Sequence, residues 1–171
     1  KIELPGEGDM VREAGSVRAH NRNGMGIGYL TQNSNKRAMT LNLKSEKGRE
    51  ILKRLAAVSD VLIENYRAGA MAALGLGYDD LAKINPRLIY CSMTGFGQKG
   101  PKAGHTAYDN VIQALSGMMT TTGYAGNPPV KVGPPVLDYG SGTMAAYAVS
   151  CALFQRSQTG KGQHIDVSML D

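Results

Sequence analysis

Two periods of hydrophobic positions alternate along this chain of 171 residues. Short, mostly apolar runs predict buried strands at 60–65 and 87–93. An alternating pattern predicts a short strand at 38–43, and a further strand is predicted at 163–169. Apolar side chains at helical spacing predict the helices between them, at about 46–58, 78–84, 108–119 and 140–155, with one helical turn over 69–74. Strands that alternate with helices are typical of βαβ units. The sequence therefore predicts an α/β fold with a largely parallel sheet.

The two ends of the chain have less regular patterns. Lys1-Ile2-Glu3 is typical of the end of a strand, and residues 4–34 are polar and glycine-rich, which predicts a loop. A length of 171 residues suits one domain. Because the chain begins without Met inside a strand pattern and stops directly after another, we expect residues 1–171 to be part of one domain, cut from a longer protein at both ends.

Composition narrows the classes of function. Hydrophobic residues make up 42% of the chain and charged residues 19%, so a buried core is feasible. The net charge of +5 permits an anionic ligand, but Lys and Arg are scattered, and we expect no nucleic-acid partner. The apolar runs are too short to span a membrane and the His residues lack ligand spacing, so we expect neither a membrane protein nor a metal site. Cys91 and Cys151 form no CxxC motif, which favours free thiols in a reducing, cytoplasmic compartment.

Asp138 is the most informative polar residue. It follows a segment stiffened by proline and glycine, 128–137, and precedes the longest helical pattern. A carboxylate there has two physical uses. It caps the helix by accepting backbone N–H groups, or it acts as a nucleophile kept ionised by the positive end of the helix dipole. The local pattern alone favours the cap, because capping is a common role of Asp.

Loops that follow the strands are the other candidate positions, because parallel sheets bind ligands at the carboxyl ends of their strands. Asn65, Tyr66 and Arg67 follow one strand. Asn and Arg side chains bind a ligand's amide or phosphate, and a Tyr side chain offers a flat apolar face. A simple turn with no ligand is the equal alternative. Residues 95–100 match the spacing of a dinucleotide fingerprint, yet further loop follows where a helix is needed, which favours a tight loop. His105 lies in the next loop, where a polar role and a solvated side chain are both open.

Nine phrases of the sequence occur in a characteristic order. They are Lys1-Ile2-Glu3 with Gly8-Asp9-Met10-Val11-Arg12, Asn35-Lys36-Arg37 with Leu41-Asn42-Leu43-Lys44, Asp60-Val61-Leu62-Ile63-Glu64-Asn65-Tyr66-Arg67, Leu74-Gly75, Asn85-Pro86-Arg87-Leu88-Ile89-Tyr90, Gly95-Phe96-Gly97 to Gly100-Pro101, Ala107-Tyr108-Asp109, Gly133 to Asp138, and Thr159-Gly160-Lys161-Gly162-Gln163. In this order and spacing they resemble the class III CoA-transferases, the formyl-CoA and carnitinyl-CoA transferase family that also includes α-methylacyl-CoA racemase. The resemblance covers essentially the whole chain.

The resemblance implies a Rossmann-like large domain, of which this chain is the N-terminal part, together with a smaller second domain and an interlaced homodimer. Asp138 stands where the family has its nucleophile. The implied reaction transfers CoA from an acyl-CoA to a carboxylic acid through an aspartyl anhydride and an aspartyl-CoA thioester, and it involves no metal. Because the small domain and the glycine-rich loop that shields the family's active site are missing, we expect the chain to be inactive by itself.

The resemblance also implies positions that contact CoA, namely Leu41, Lys44, Asn65, Tyr66, Arg67, His105 and Tyr108. The match departs from the family where some transferases have a cation, at Leu4, Ala73, Thr94 and Thr106. Racemases of the family have a base histidine where Tyr108 stands, and this difference favours transfer over racemisation. Two alternatives stay open, an acyl-CoA racemase or isomerase and a non-catalytic CoA-binding module.

Overall fold

The computed structural model describes residues 1–13, 20–23 and 25–171. In chain order, the elements are β1 (Ile2–Glu3), a 3-10 turn (Met10–Arg12), α1 (Ile27–Gln32), β2 (Met39–Thr40), α2 (Glu46–Ala57), β3 (Val61–Glu64), α3 (Ala70–Ala73), α4 (Tyr78–Ile84), β4 (Ile89–Thr94), α5 (Asp109–Leu115), α6 (Met118–Thr121), α7 (Val136–Thr159) and β5 (Gln163–Ser168). The chain divides into two compact units, Lys1–Glu50 and Ile51–Asp171.

The first unit is built on a short parallel pair. Strand β1 pairs with β2 in the register Ile2 with Met39 and Glu3 with Thr40. The loop predicted for residues 4–34 is wrong at Met10–Arg12 and Ile27–Gln32, which are helical, while residues 14–19 and 24 lie outside the described residues. Glycine-rich composition suggested a loop, but tertiary contacts to Glu3 stabilise both helical segments.

The carboxylate of Glu3 makes these contacts, although its residue is only 7% exposed. It accepts hydrogen bonds from Nε and Nη2 of Arg12 at 2.7 and 2.9 Å, from the Tyr29 hydroxyl at 2.9 Å and from the backbone N–H of Asp9 at 3.0 Å. The bonds from Arg12 are the largest cause that lowers the pKa of Glu3 to about 2, against the opposing effect of burial. One ionised side chain thus joins β1, the 3-10 turn and α1.

The second unit contains a three-stranded parallel sheet in the order β3-β4-β5. This confirms the predicted α/β class with a parallel sheet. Helix α7 packs on one face of the sheet through small residues, since Ala145, Val149 and Ala152 form a buried cluster with Ile89 and Cys91. Small side chains let the helix axis approach the strands closely.

The larger apolar residues of α7 lie on its other side. Met144, Tyr147 and Phe154 are 60%, 66% and 72% exposed, although they repeat at helical spacing. Periodicity therefore identified the helix, while residue size decided which of its faces is buried.

Most helix positions agree with the predictions, and the boundaries differ for local reasons. Helix α4 has the predicted bounds. The helix predicted over 108–119 is interrupted at Gly117, whose φ of +82° lies in the left-handed region that favours glycine. Helix α7 begins at Val136, four residues earlier than expected, and ends at Thr159, where Gly160 with φ +72° is the C-cap. No helix in the described ranges is long and apolar enough to cross a membrane.

We expect Glu3→Gln to lower the free energy of unfolding at pH 7 by about 2 kcal/mol, because it removes charge-assisted hydrogen bonds from a buried site. The folded-state pKa of about 2 lies below the ordinary value of 4.5, so the contribution of Glu3 is fully present above about pH 4.5 and is lost as the pH falls towards 2.

Urea unfolding of the wild type and Glu3→Gln at pH 7 and pH 3 tests this expectation. The difference between the two proteins should shrink at pH 3. The exposed Glu7 provides the control, and Glu7→Gln should change stability little at either pH. An equal difference at both pH values would contradict the assignment.

Candidate active site

Asp138 lies in the first turn of α7 and not at its cap position. The cap position belongs to Pro135, which has no side-chain donor or acceptor to offer. The cap interpretation of Asp138 is therefore wrong in this structure, and its physical reason is the earlier start of the helix. The side chain of Asp138 is exposed, and among residues 1–13, 20–23 and 25–171 its carboxylate accepts no hydrogen bond and forms no ion pair.

A different carboxylate, that of Asp109 on α5, caps α7. Its Oδ2 accepts the backbone N–H groups of Leu137 at 2.8 Å and of Asp138 at 3.2 Å. These are the second and third residues of α7, whose amides have no partner within the helix. Asp109 therefore supplies from a neighbouring helix the acceptor that an N-cap residue usually provides.

Gln113 extends this cap into a buried network. Its Nε2 donates to Oδ1 of Asp109, and its Oε1 accepts the backbone N–H of Val132 at 2.9 Å. Gln113 is 0% and Asp109 is 7% exposed. Because buried polar groups are costly when left unpaired, the network fixes the segment before α7, and with it the start of α7, against α5.

The electrostatics of Asp138 differ from the expectation based on the helix dipole. Burial, followed by repulsion from Asp109, raises the pKa of the Asp138 carboxyl above its ordinary value. A helix N-terminus favours the ionised form, but here these two effects outweigh it. A carboxylate of higher pKa is more basic, which makes it a better nucleophile when it is ionised.

The backbone amides at the start of α7 are all engaged. Val136 N–H donates to the Pro134 carbonyl at 2.9 Å and Tyr139 N–H to the Pro135 carbonyl at 3.2 Å, while Asp109 binds the two amides between them. These four N–H groups therefore offer no direct oxyanion site. Donors for a developing oxyanion must come from other groups.

The loop after β4 approaches the segment before α5 closely. A Cβ added at Gly95 would lie 2.6 Å from Cβ of Ala107, a separation that side chains do not tolerate. This agrees with the interpretation of residues 95–100 as a tight loop. In the same region His105 contacts the Phe96 ring edge-on at 6.2 Å between centroids.

Tyr108 immediately precedes α5 and is 71% exposed. Its neighbour Asp109 binds the N–H of Asp138, so the structure brings Tyr108 and the candidate nucleophile into one region. Tyr108 lies on the surface and not in the core, as a ligand contact requires.

Asn65, Tyr66 and Arg67 follow β3 and are exposed. The turn is closed by Glu64, whose carboxylate accepts the backbone N–H of Tyr66 at 2.8 Å. The side chain of Asn65 is thus not needed for the turn.

Leu41 and Lys44 belong to the first unit. Leu41 is 8% exposed, and its N–H donates to the carbonyl of Glu3 at 2.9 Å. Lys44 is exposed, and its N–H donates to Oδ1 of Asn42 at 3.0 Å. A ligand can therefore reach the Lys44 side chain directly, whereas that of Leu41 is largely covered.

Sequence reasoning missed Asp109 and Gln113. The available signal was their spacing of four residues, which places both on one face of α5 together with the buried face around Ile112. Polar residues on the buried face of a helix indicate an internal partner. That partner, the start of α7, is far away along the chain.

The fold and the site define an α/β protein with candidate ligand-binding loops at the carboxyl ends of parallel strands. At the start of a helix it has the Asp138 carboxylate, which has no hydrogen-bond partner within the part of the chain that the structure describes. The chain belongs to CoA-transferase family III, which it matches over residues 1–171.

Relatives of known function agree with this family. The chain is 45% identical over 172 residues to acetyl-CoA:oxalate CoA-transferase of Acetobacter aceti, and the match covers 100% of the chain and 43% of that protein. It is 42% identical over 170 residues to human succinyl-CoA:glutarate CoA-transferase, covering 99% of the chain and 38% of that protein. The chain thus spans less than half the length of these relatives.

A solved structure agrees as well. A CaiB/BaiF family protein from Brucella suis superposes with a TM-score of 0.90 at 40% identity, covering 99% of this chain and 45% of that one. The expected resemblance to the class III family is confirmed, and so is the fold class.

We expect Asp109→Ala to lower the free energy of unfolding by about 2 kcal/mol, because two helix amides and the Gln113 amide lose their acceptor. Asn110→Ala, at the exposed neighbouring position, is the matched control and should cost much less. Urea denaturation measures both variants, and equal effects would contradict the role of Asp109 as a cap.

Asp109→Asn separates charge from capping. Removal of the negative charge should lower the pKa of Asp138, so its titration midpoint should move to lower pH. NMR titration of ¹³C-labelled aspartate carboxyls, assigned with an Asp138→Asn variant, measures this midpoint. An unchanged or higher midpoint would be inconsistent with repulsion from Asp109.

Proposed function

We propose that the protein transfers CoA from an acyl-CoA to a carboxylic acid, with Asp138 as the covalent nucleophile. The observation that carries this proposal is the separation of two roles at the start of α7. Asp109 accepts the helix amides, while the carboxylate of Asp138 is exposed and without a hydrogen-bond partner among the described residues. The names of the relatives, which are CoA-transferases for oxalate and glutarate, support the reaction class.

The proposed reaction begins with attack of the ionised Asp138 on the thioester carbonyl of the acyl-CoA. The C–S bond breaks, the CoA thiolate leaves with the electron pair, and an acyl-aspartyl anhydride forms. The thiolate then attacks the aspartyl carbonyl of the anhydride. This step releases the first carboxylate and leaves CoA as a thioester on Asp138.

The acceptor carboxylate reverses these steps. It attacks the aspartyl thioester, expels the thiolate and forms a second anhydride with Asp138. The thiolate attacks the acceptor carbonyl of that anhydride, which gives the new acyl-CoA and regenerates the Asp138 carboxylate. No proton is gained or lost in the overall exchange.

The same proposal assigns contacts with CoA to residues of each unit. In the second unit, Arg67 supplies positive charge for the phosphates, and Tyr66, which is 51% exposed, offers a flat face. In the first unit, Lys44 is the cationic contact. Asn65, His105 and Tyr108 complete the contacts. Leu41 has a supporting role in this assignment, because its side chain is buried beneath the surface.

We further propose that residues 1–171 act as the N-terminal part of a large CoA-binding domain, within an interlaced homodimer in the cytoplasm. Relatives more than twice as long support a requirement for further segments in catalysis. We accordingly expect no transfer by this chain alone. The two free cysteines, Cys91 and Cys151, support a reducing compartment.

Racemisation is the principal alternative for this family. It requires proton abstraction at the α-carbon, and this chain has Tyr108 where the family's racemases have a base histidine. His105 lies three residues away and contacts Phe96. Incorporation of solvent deuterium at the α-carbon of an acyl-CoA would establish the racemase and exclude simple transfer.

We expect that incubation of the full-length protein that contains this chain with acyl-CoAs, followed by hydroxylamine, places a hydroxamate on Asp138. Mass spectrometry detects this adduct. Asp138→Ala should abolish the adduct and reduce transfer by about a thousandfold or more, while CoA binding persists. Asp80→Asn is the matched control, because Asp80 is also an aspartate in the first turn of a helix, α4. Absence of any adduct despite CoA binding would favour a binding module.

Two helical glycines give a second test of access to Asp138. Gly142 lies one turn after Asp138 on the same face of α7, Gly140 lies on a different face, and an added Cβ meets open space at both positions. Alanine at either position should raise stability by about 0.5–1 kcal/mol. Thermal unfolding and transfer kinetics should show that Gly142→Ala alone reduces kcat/KM. Equal kinetic effects would argue against approach of the substrate along this face.

A further inference from the structure

The face of the sheet opposite α7 contains a polar row. Glu64 on β3 is in register with Ser92 on β4, and Ser92 is in register with Asp166 on β5. Side chains in register on neighbouring strands lie on the same face at about 5 Å. Ser92 is 2% exposed, so this row is partly buried at its centre.

Each carboxylate of the row binds the loop that follows a strand. Glu64 accepts the N–H of Tyr66 at 2.8 Å, in the loop after β3. Asp166 accepts the N–H of Gln98 at 2.8 Å, in the loop after β4. Both loops therefore have a backbone amide fixed by a side chain of the row.

Ser92 and His164 contribute further polar groups to the row. The Ser92 hydroxyl lies 2.9 Å from Nε2 of His164. Ser92 is also in register with Glu64, and hydrogen bonding by its hydroxyl acts to lower the pKa of the Glu64 carboxyl. Ser92 thus lies between His164 and Glu64.

Aromatic contacts hold His164 in this position. Its ring stacks on Tyr78 at 5.3 Å and meets the edge of Tyr90 at 5.5 Å. A cavity of about 150 Å³ lies beside the row and is also lined by Arg67. The cavity therefore lies next to the loop that contains Arg67.

We propose that Glu64 and Ser92 are positioning residues that set the conformation of the loop Asn65–Arg67 for CoA. This inference rests on the proposed function, because that function assigns the loop to CoA. Glu64 fixes the backbone amide at the centre of the loop, and Ser92 orients the Glu64 carboxylate. Neither residue needs to touch CoA for this role.

Burial is consistent with this arrangement. It is the largest influence on Glu64 and raises its pKa, while the bonds from Ser92 and from the Tyr66 amide lower it. Among its titratable neighbours, His164 favours the ionised form of Glu64 and Asp166 opposes it. Arg67 and Asp79 line the same cavity.

Isothermal titration of the intact protein with CoA, combined with steady-state kinetics, tests the inference. Glu64→Gln removes the negative charge that strengthens the hydrogen bond from the Tyr66 N–H and replaces one accepting oxygen by a donating NH2 group. We expect the Kd for CoA to rise about fivefold to tenfold, while kcat at saturating acyl-CoA stays within about twofold. Ser92→Ala removes only the orienting hydroxyl, and a smaller rise in Kd should follow.

Asp60→Asn is the matched control. Asp60 immediately precedes β3, at the opposite end of the strand, and pairs with Arg156 at 2.7 Å. Its substitution makes the same change of charge and should leave the Kd for CoA unchanged. A CoA affinity of Glu64→Gln equal to that of the wild type, or a loss of kcat without a change in Kd, would overturn the inference.

The outcomes also separate this inference from the proposed function. If the wild type binds CoA and gives the Asp138 hydroxamate while neither Glu64→Gln nor Ser92→Ala weakens CoA binding, only the positioning role fails. If the wild type neither binds CoA nor gives the adduct, the proposed function fails, and the positioning role fails with it.

Discussion

The candidate site depends on the hydrogen bonds that the Asp109 carboxylate accepts from the backbone N–H groups of Leu137 and Asp138, at the start of α7. They join α5 to α7, and through Gln113 they also fix the segment around Val132. The acceptor is buried, so water cannot easily replace it. Burial raises the pKa of Asp138, and the same negative charge of Asp109 raises it further. One neighbouring side chain therefore influences both the position and the pKa of Asp138.

The central strand β4 serves two functions because its side chains alternate between the two faces of the sheet. Ile89 and Cys91 belong to the apolar cluster with α7, which stabilises the unit. Ser92, on the opposite face, is in register with Glu64 and Asp166, whose carboxylates accept hydrogen bonds from the loops. A hydrophobic core and a polar support thus share one strand, and a one-residue shift in register would disrupt both.

The sequence predicted the parallel sheet and most helices because short apolar runs and helical spacing are local signals, as for β3 and α4. It did not predict α1, since the hydrogen bond from Tyr29 joins it to Glu3, 26 residues away. Asp138 was identified from its local pattern, and the resemblance added the role of nucleophile as an expectation. Its partner Asp109 was missed, because the spacing of Asp109 and Gln113 on α5 does not indicate that their partner is the start of another helix. The starting residue of α7 was wrong for the same reason. Long-range hydrogen bonds are the part that periodicity does not encode.

The capping of α7 by Asp109 has an evolutionary consequence. Because Asp109 caps the start of the helix, the side chain at position 138 is not needed to stabilise it. A descendant that replaces the aspartate at 138 would keep its helix, its sheet and its loops. Within such a lineage, loss of the proposed nucleophile need not be accompanied by loss of folding, so stable members without an aspartate at position 138 are only one substitution away.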